Sequence, residues 1–472
     1  MFVYNFYVFI GVSLFFLLIA VYTGRNIESV KDYFHRTGDR DWFFSLSAAN
    51  VTLGTGVVYY LSSSGRFGWL MLLSPLMVLA GYLLFAKLLN DRPNLQTTSS
   101  GNFLQWVDEQ IGKNQKRSSR IAFYPTLSLV LTFVLILAYE IYASAIIFSQ
   151  ILFDYPTDQA TIYIAALLAS VTIIYSLWGG VVAVLKTDRI QIIGVLAVIG
   201  LLGFAGLFKT GSISNISSIP FIPSSPDIYW GISAAVCGAI ATQFYSLLNW
   251  GAVSNFPKGH NPAWTLRATG IFTFVMLSAL VLIGLLAGTG EAGVSFRSII
   301  NEPFLQSPNM LTFVLVAGMV CIVFSTADSL MIQITMFTFD NLLGKNSMDA
   351  SVSLTDVRNL RLQALLTFGI TLSAVIIFIA TRQDLLYLLF AVAGGVIVYA
   401  PFMFLALVMS NKPLSLKALS GAVSIIFFVL FLLASCGNIL ALVIDASATA
   451  MIVTLSFILS CIIAAVVYTR AK

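Results

Sequence analysis

The chain has 472 residues, 58% of them hydrophobic and only 10% charged, against roughly 25% charged in soluble globular proteins, so a soluble fold is excluded. A membrane helix takes ~20 apolar residues, so there is material for roughly thirteen spans, and apolar runs of that length exclude a transmembrane barrel of short alternating strands. The net charge of +5 is a property of loops, as shown next.

Apolar segments fall near residues 3 to 23, 42 to 64, 67 to 89, 121 to 152, 160 to 178, 188 to 208, 228 to 254, 263 to 288, 309 to 341, 358 to 381, 384 to 409, 415 to 435 and 440 to 468. An odd number of spans puts the termini on opposite sides. Alternating the loops leaves Arg66, Lys209, Arg297 and Arg382 on one side and the other 21 of the 25 Lys and Arg on the side of Arg25, Lys31, Arg36 and Arg40. The positive-inside rule then predicts an outside N-terminus and an inside C-terminus. The basic residues line cytoplasmic loops, and no nucleic-acid partner is expected. The first segment, MFVYNFYVF, has no basic leader and reads as a retained helix rather than a cleaved signal. The longest polar connection, Asn90 to Arg120, is too short for a separate core. Compact loops suit a bacterial inner (plasma) membrane, with lipid as the surrounding partner and a monomer as the simplest state.

The chemistry of an enzyme is not foreseen. Cys237, Cys321, Cys436 and Cys461 lie in or beside apolar runs without metal-ligand spacing, and His35 and His260 fall in polar loops, so neither zinc nor a nucleophile with its base is suggested. Ionisable groups within spans are functional candidates by default. Glu140 lies in the fourth span and Asp328 in the ninth, neither with a basic residue in its own span. Ser325, Asp328 and Ser329 have i, i+3, i+4 spacing and share a helix face, with Thr326 beside them. Such a stripe of oxygens suits a hard cation, or else bonds to its own helix and its neighbours.

The second span carries SLSAANVTLGTGVVYYLSSSG, in which Gly54 and Gly56 bracket Thr55. A helix of that composition is readily interrupted, and unwound backbone inside a bilayer is tolerated where protein buries it or a cavity meets it. The seventh span, with Gly238, Gln243, Asn249 and Gly251, is of the same kind. Spans 2 to 6 and 7 to 11 thus form two five-helix halves, each led by a polar, glycine-bearing helix. Five being odd, the halves would insert with opposite orientations, as in transporters with a mid-membrane site between broken helices.

Three motifs carry a resemblance to a known family. They are SVKDYFHRTGDRDWFFSLSAAN after the first span, WGGVVAVLKTDRIQ, and FSTADSLMIQITMFTFD with Asp340 near its end. On these residues the chain resembles the sodium:solute symporter family. The resemblance implies an all-α polytopic membrane protein of the LeuT-type 5+5 inverted-repeat fold. It divides the chain into a first helix and loop (1–41), a first repeat (42–210), an inverted second repeat (211–410) and two further helices (411–472).

Na+ is implied as the coupling ion, held by the backbone carbonyls of Ala48, Val51 and Ile322 and the hydroxyls of Ser325 and Thr326. A further cation or proton position would involve Asp188, Ser325, Asp328 and Ser329. Asp188 with Gln191 three residues on also reads as a helix N-cap with its reciprocal partner. Helix position places Asn50, Thr55, Ser74, Tyr139, Glu140, Gln243, Asn249 and Trp250 at the solute. No basic side chain is among them, which favours a small neutral, zwitterionic or cationic solute, unless Glu140 is protonated or bonded to a neighbouring helix. The chain departs from many relatives in having Ser254-Asn255 where they have Gln-Arg. It also has Ser74 where sugar-transporting relatives have an acid, which speaks against a sugar. The expectation is a sodium-coupled importer and not an enzyme, with proton coupling or a non-transporting sensor of the same fold as alternatives.

Overall fold

The computed structural model describes residues 2–25, 27, 29–34, 39–91, 123–153, 157–210, 226–255, 262–286, 309–343, 354–382, 384–409 and 421–471. His35, His260, the side chains of Ser254 and Asn255, and nearly all of the Asn90–Arg120 connection lie outside them. The first helix, α1 (Phe2–Gly24), is followed by short α2 (Val30–Phe34) and by α3 (Asp39–Asn50). After two non-helical residues a π-helical stretch, Leu53–Val58, leads into α4 (Tyr59–Phe67), and a 3-10 turn, Gly68–Leu72, into α5 (Leu73–Asn90). Helix α6 is Phe123–Leu152. The stretch Asp158–Thr210 comprises two helices, α7 (158–179) and α8 (181–210), meeting at Gly180. The second half contains α9 (Pro226–Tyr245), α10 (Leu247–Asn255), α11 (Pro262–Leu286), α12 (Met310–Phe337) with a π-helical end Thr338–Leu342, and α13 (Leu354–Thr381). Then come α14 (Leu385–Ala393), α15 (Tyr399–Met409), α16 (Gly421–Ile444) and α17 (Ala448–Ala471).

Among the described residues, ten helical stretches are long and apolar enough to cross a membrane, and the pair either side of Gly394–Gly395, bent by 44°, makes an eleventh. Two of the ten are too long for a single crossing. Asp158–Leu207, at 50 residues, would measure about 75 Å against a hydrocarbon core of ~30 Å. Each overlong stretch turns at a glycine of positive φ, Gly68 (φ 61°) and Gly180 (φ 53°), a conformation that costs a side-chain-bearing residue strain.

Two of the sequence motifs explain each other at the second turn. The Tyr33 hydroxyl of α2 donates to the Ser176 carbonyl at 2.6 Å. A Cβ on Gly180 would lie 2.7 Å from the Tyr33 carbonyl oxygen, and one on Gly24 would lie 1.9 Å from that of Trp178. The Trp-Gly-Gly turn is thus cupped by the end of α1 and by α2.

Small residues let helices approach closely, as membrane packing favours. Helix α12 lies against α8, where a Cβ on Gly318 would come within 2.9 Å of the Gly194 carbonyl oxygen. Helix α11 packs on α3, α4 and α5, and α5 on α9. A Cβ on Gly284 would be 2.6 Å from the Leu61 carbonyl oxygen, and one on Gly81 would be 3.0 Å from that of Ile240. Large apolar side chains such as Leu18, Ile193, Leu366 and Val443 face outward, while Ser45 and Ser47 of α3, Glu140 and Ser144 of α6, and Ser325 and Asp328 of α12 are buried.

Several boundaries differ from the sequence expectation. Helix α8 starts near 181 rather than 188, so Asp188 is two turns inside a helix and cannot be its N-cap. The second span breaks at Val51–Thr52, just before the glycines, which belong to the π-helical turn. The eleventh segment, read as one straight span, is bent at Gly394–Gly395, where a Cβ on Gly395 would lie 1.9 Å from the Ser435 hydroxyl of α16.

Candidate functional site

Helix α3 stops at Asn50, so its last carbonyls have no helical N–H to accept from. Two of them are met by α12. The Ser325 hydroxyl donates to the Ala48 carbonyl at 3.3 Å and to Ile322 of its own helix at 2.9 Å. The Thr326 hydroxyl donates to Ala49 at 3.5 Å and to Ile322 at 3.4 Å. Val51 joins through its N–H, which donates to the Ala48 carbonyl at 3.2 Å. Ala48, Val51, Ile322, Ser325 and Thr326 are all buried. Of the five residues expected at the ion, Ala48, Ile322, Ser325 and Thr326 are joined by these bonds, with uncharged oxygens from two helices, whereas Val51 enters through its N–H and not its carbonyl.

One turn further along α12 lies a second polar cluster. Asp188, Gln191 and Asp328 are fully buried and Ser329 nearly so. Asp328 Oδ1 accepts from the Ser329 N–H at 2.5 Å. Among the described residues, no hydrogen bond of normal geometry reaches its Oδ2, either oxygen of Asp188, the Gln191 amide or the Ser329 hydroxyl. Ser45 of α3 lies beside Asp188, and Gln191 beside Asp328. Asp188, Asp328 and Ser329 were foreseen together; Ser45 was not, and Gln191 faces Asp328 instead of capping a helix. The i, i+3 spacing of Asp188 and Gln191 on one face was the available signal.

A cavity of about 220 Å³ adjoins the break. Of the residues assigned to the solute, Asn50, Thr55, Ser74, Glu140 and Gln243 line it, whereas Tyr139, Asn249 and Trp250 do not. Asn249 and Trp250 instead close the gap between α9 and α10 at Ser246. The Asn249 amide donates to the carbonyl and side-chain oxygens of Gln243 at 3.2 and 3.0 Å, and Trp250 Nε1 donates to the Phe244 carbonyl at 2.7 Å. The Tyr82 hydroxyl in turn donates to Asn249 at 3.1 Å. Tyr139 is buried against Gly54. Glu140 uses both oxygens on the broken helix: Oε2 accepts from the Gly54 N–H and Oε1 from the Thr55 N–H, each at 2.8 Å.

Sequence reasoning missed the aromatic wall made by Tyr59, Tyr60, Phe133, Tyr245 and Phe390, and the contribution of Val453 from α17. The paired tyrosines after Gly56 were a legible hint; the rest come from four other helices. At one end of α4, Arg66 bonds the Tyr387 hydroxyl and lies over its ring, 4.8 Å from the centroid, tying α4 to α14.

Gly238 lines this cavity, and a Cβ there would meet nothing within 4 Å. Gly238→Ala is therefore expected to leave thermal stability within about 0.5 kcal/mol of the parent while weakening solute binding several-fold. Paired melting and binding titrations check both halves.

No protein-family model and no curated protein matches the sequence. Among solved structures, a Na+-coupled sialic acid symporter in its substrate-bound outward-open state aligns over 98% of this chain and 97% of its own, with 15% identity and a TM-score of 0.66. This chain shares the fold of that symporter. A manganese transporter of Eremococcus coleocola aligns over 92% of this chain and 95% of its own, at 14% identity and a TM-score of 0.54. Its complex with an aromatic bis-isothiourea compound was the form compared. The site described above thus sits in a helical fold with ten or eleven apolar stretches able to cross a membrane among the described residues.

Proposed function

We propose that this chain is a sodium-coupled symporter that imports a small organic solute by alternating access. The observation that carries the reading is the convergence of the Ala48 and Ile322 carbonyls with the Ser325 and Thr326 hydroxyls at the end of α3. Neutral oxygens at a helix C-terminus favour a monovalent cation and hold it weakly enough for release in each cycle. The fold shared with a Na+-coupled symporter supports the same ion.

In this reading the eleven apolar crossings become thirteen once the two overlong stretches are divided at Gly68 and Gly180. The N-terminus is outside and the C-terminus inside. Residues 42–210 and 211–410 are the inverted repeats, 1–41 precede them, 411–472 follow, and the protein resides in the plasma membrane. The packing of α3, α4, α5, α9 and α11 with one another supports a bundle that rocks against the remaining helices. One sodium ion crossing about −100 mV gains about 2.3 kcal/mol and a tenfold gradient about 1.4 kcal/mol. Together these sustain roughly several-hundred-fold accumulation of a neutral solute.

The solute is read as neutral, zwitterionic or cationic, because the cavity lining contains no basic side chain among the described residues. A second reading, proton coupling, is favoured by the unpartnered oxygens of Asp188 and Asp328. Melting of the purified protein across a solute library in sodium and in potassium separates the two. A solute that stabilises only in sodium supports symport with that ion. Stabilisation indifferent to sodium but dependent on pH transfers the coupling to the carboxylates.

A further inference from the structure

In transporters with broken helices, the freed N–H groups at the start of the second half-helix point at anionic groups of the substrate. In this chain the second half of the broken helix starts at Leu53, with Thr52 at the N-cap position in an extended conformation (φ −78°, ψ 164°) and without a side-chain cap bond. The Thr52 hydroxyl is turned to the Thr55 hydroxyl at 2.6 Å instead. The cap is supplied from α6. Glu140 gives one carboxylate oxygen to the Gly54 N–H and the other to the Thr55 N–H, both at 2.8 Å.

The site is built for that carboxylate. A Cβ on Gly54 would stand 2.8 Å from Glu140 Oε2 and 3.1 Å from the Tyr139 ring, so only glycine admits the approach. Glu140 is 3% exposed, yet it borders the cavity.

We propose that Glu140 is a built-in carboxylate occupying the anion position of the broken helix, and that the solute of this cavity is accordingly one without a carboxylate, uncharged or cationic. The inference rests on the cavity being the solute site and narrows the reading above, because it removes zwitterions anchored through a carboxylate. A solute carboxylate would find both backbone donors taken, no Lys, Arg or His among the described lining residues, and the Glu140 oxygens beside it. The cavity also offers the buried, unpartnered Thr273 hydroxyl, the Asn50 and Gln243 amides, and the faces of Tyr59, Phe133, Tyr245 and Phe390. That combination suits a molecule with an apolar or aromatic body and one or two hydrogen-bonding groups.

Chemical rescue tests the assignment. Wild type, Glu140→Ala and Glu140→Gln are purified in sodium chloride, and their melting is followed as chloride is exchanged for acetate or formate at tens of millimolar, with acetamide as the neutral control. Glu140→Ala is expected to melt several degrees below wild type and to recover most of that loss in acetate or formate but not in acetamide. Wild type and Glu140→Gln, whose position is filled, are expected not to respond. If Glu140→Ala is recovered folded only when acetate is present throughout purification, the result is the same. Failure of acetate and formate to restore it, by either readout, or an equal response from wild type, overturns the proposal.

A second arm uses wild type with amino acids and their amides. Stabilisation by an amide over its parent acid is expected, and stabilisation by an acid over its amide overturns the substrate class. Silence from every pair, with rescue intact, would count against the cavity as the solute site and leave the Glu140 role standing.

Discussion

Ser325→Ala combined with Thr326→Ala is expected to abolish the stabilisation of this protein by sodium relative to potassium. The double variant removes two of the five proposed oxygens, and both belong to side chains that join α12 to the end of α3. A fall in sodium affinity of about a hundredfold or more corresponds to about 2.8 kcal/mol at ~1.4 kcal/mol per tenfold change. The fold itself should tolerate the change. Each alanine removes a donor together with its bond, leaving no orphaned hydroxyl behind, and the Ala48 carbonyl keeps the Val51 N–H at 3.2 Å. Unchanged helicity and elution, with sodium titrations of the melting temperature gone flat, is the expected pattern. Thr326→Ser, which keeps the oxygen, is expected to retain most of the response.

Asp328→Asn is expected to raise baseline stability. Asp188 and Asp328 are both fully buried, and Asp188 bears on Asp328 electrostatically. Lys186 and Arg189, the basic residues flanking Asp188 in sequence, are exposed. Burying two carboxylates without a cationic side chain is costly unless a bound cation or a proton compensates. Asparagine removes that requirement while its side-chain oxygen can still accept from the Ser329 N–H, as Asp328 does at 2.5 Å. The variant should therefore melt higher than the parent in potassium at neutral pH and gain less from sodium or from acidification. It should also accumulate less solute, because one coupling charge is lost. A variant that melts lower and keeps the full sodium response would reduce Asp328 to a structural acceptor.

Membrane architecture was legible because the bilayer demands long apolar segments, and the chain meets that demand without ambiguity. The stripe of oxygens on α12 and the interruption after Asn50 were legible singly, but hydroxyls in a membrane helix also bond their own carbonyls, as both do here to Ile322. That Ser325 meets Ala48 and Thr326 meets Ala49 was implied only by the family resemblance. Sequence alone leaves Glu140 either at the solute or bonded to a neighbouring helix, and the fold bonds it to one. The use the fold makes of it, capping a half-helix 86 residues away in sequence, depends on which N–H groups the break exposes.

Asn249 and Trp250 were misread for a similar reason. A polar side chain beside a break can face the cavity or mend the backbone, and here both mend it. The aromatic wall was hidden because Tyr59, Phe133, Tyr245 and Phe390 are ordinary apolar-span residues until a bend at Gly394 brings Phe390 within 6.4 Å of Tyr59. The placement of Asp188 inside α8 followed from helix continuing through a charged segment, Lys186 to Arg189, that hydropathy alone assigns to a loop.

Equilibrium binding of radioactive sodium to the purified protein tests the central claim most directly, since it requires no knowledge of the solute. The account predicts saturable binding that unlabelled sodium displaces and potassium does not, and that Ser325→Ala with Thr326→Ala eliminates at the main site. Absence of saturable binding in the parent protein, or binding that survives the double substitution undiminished, would contradict it.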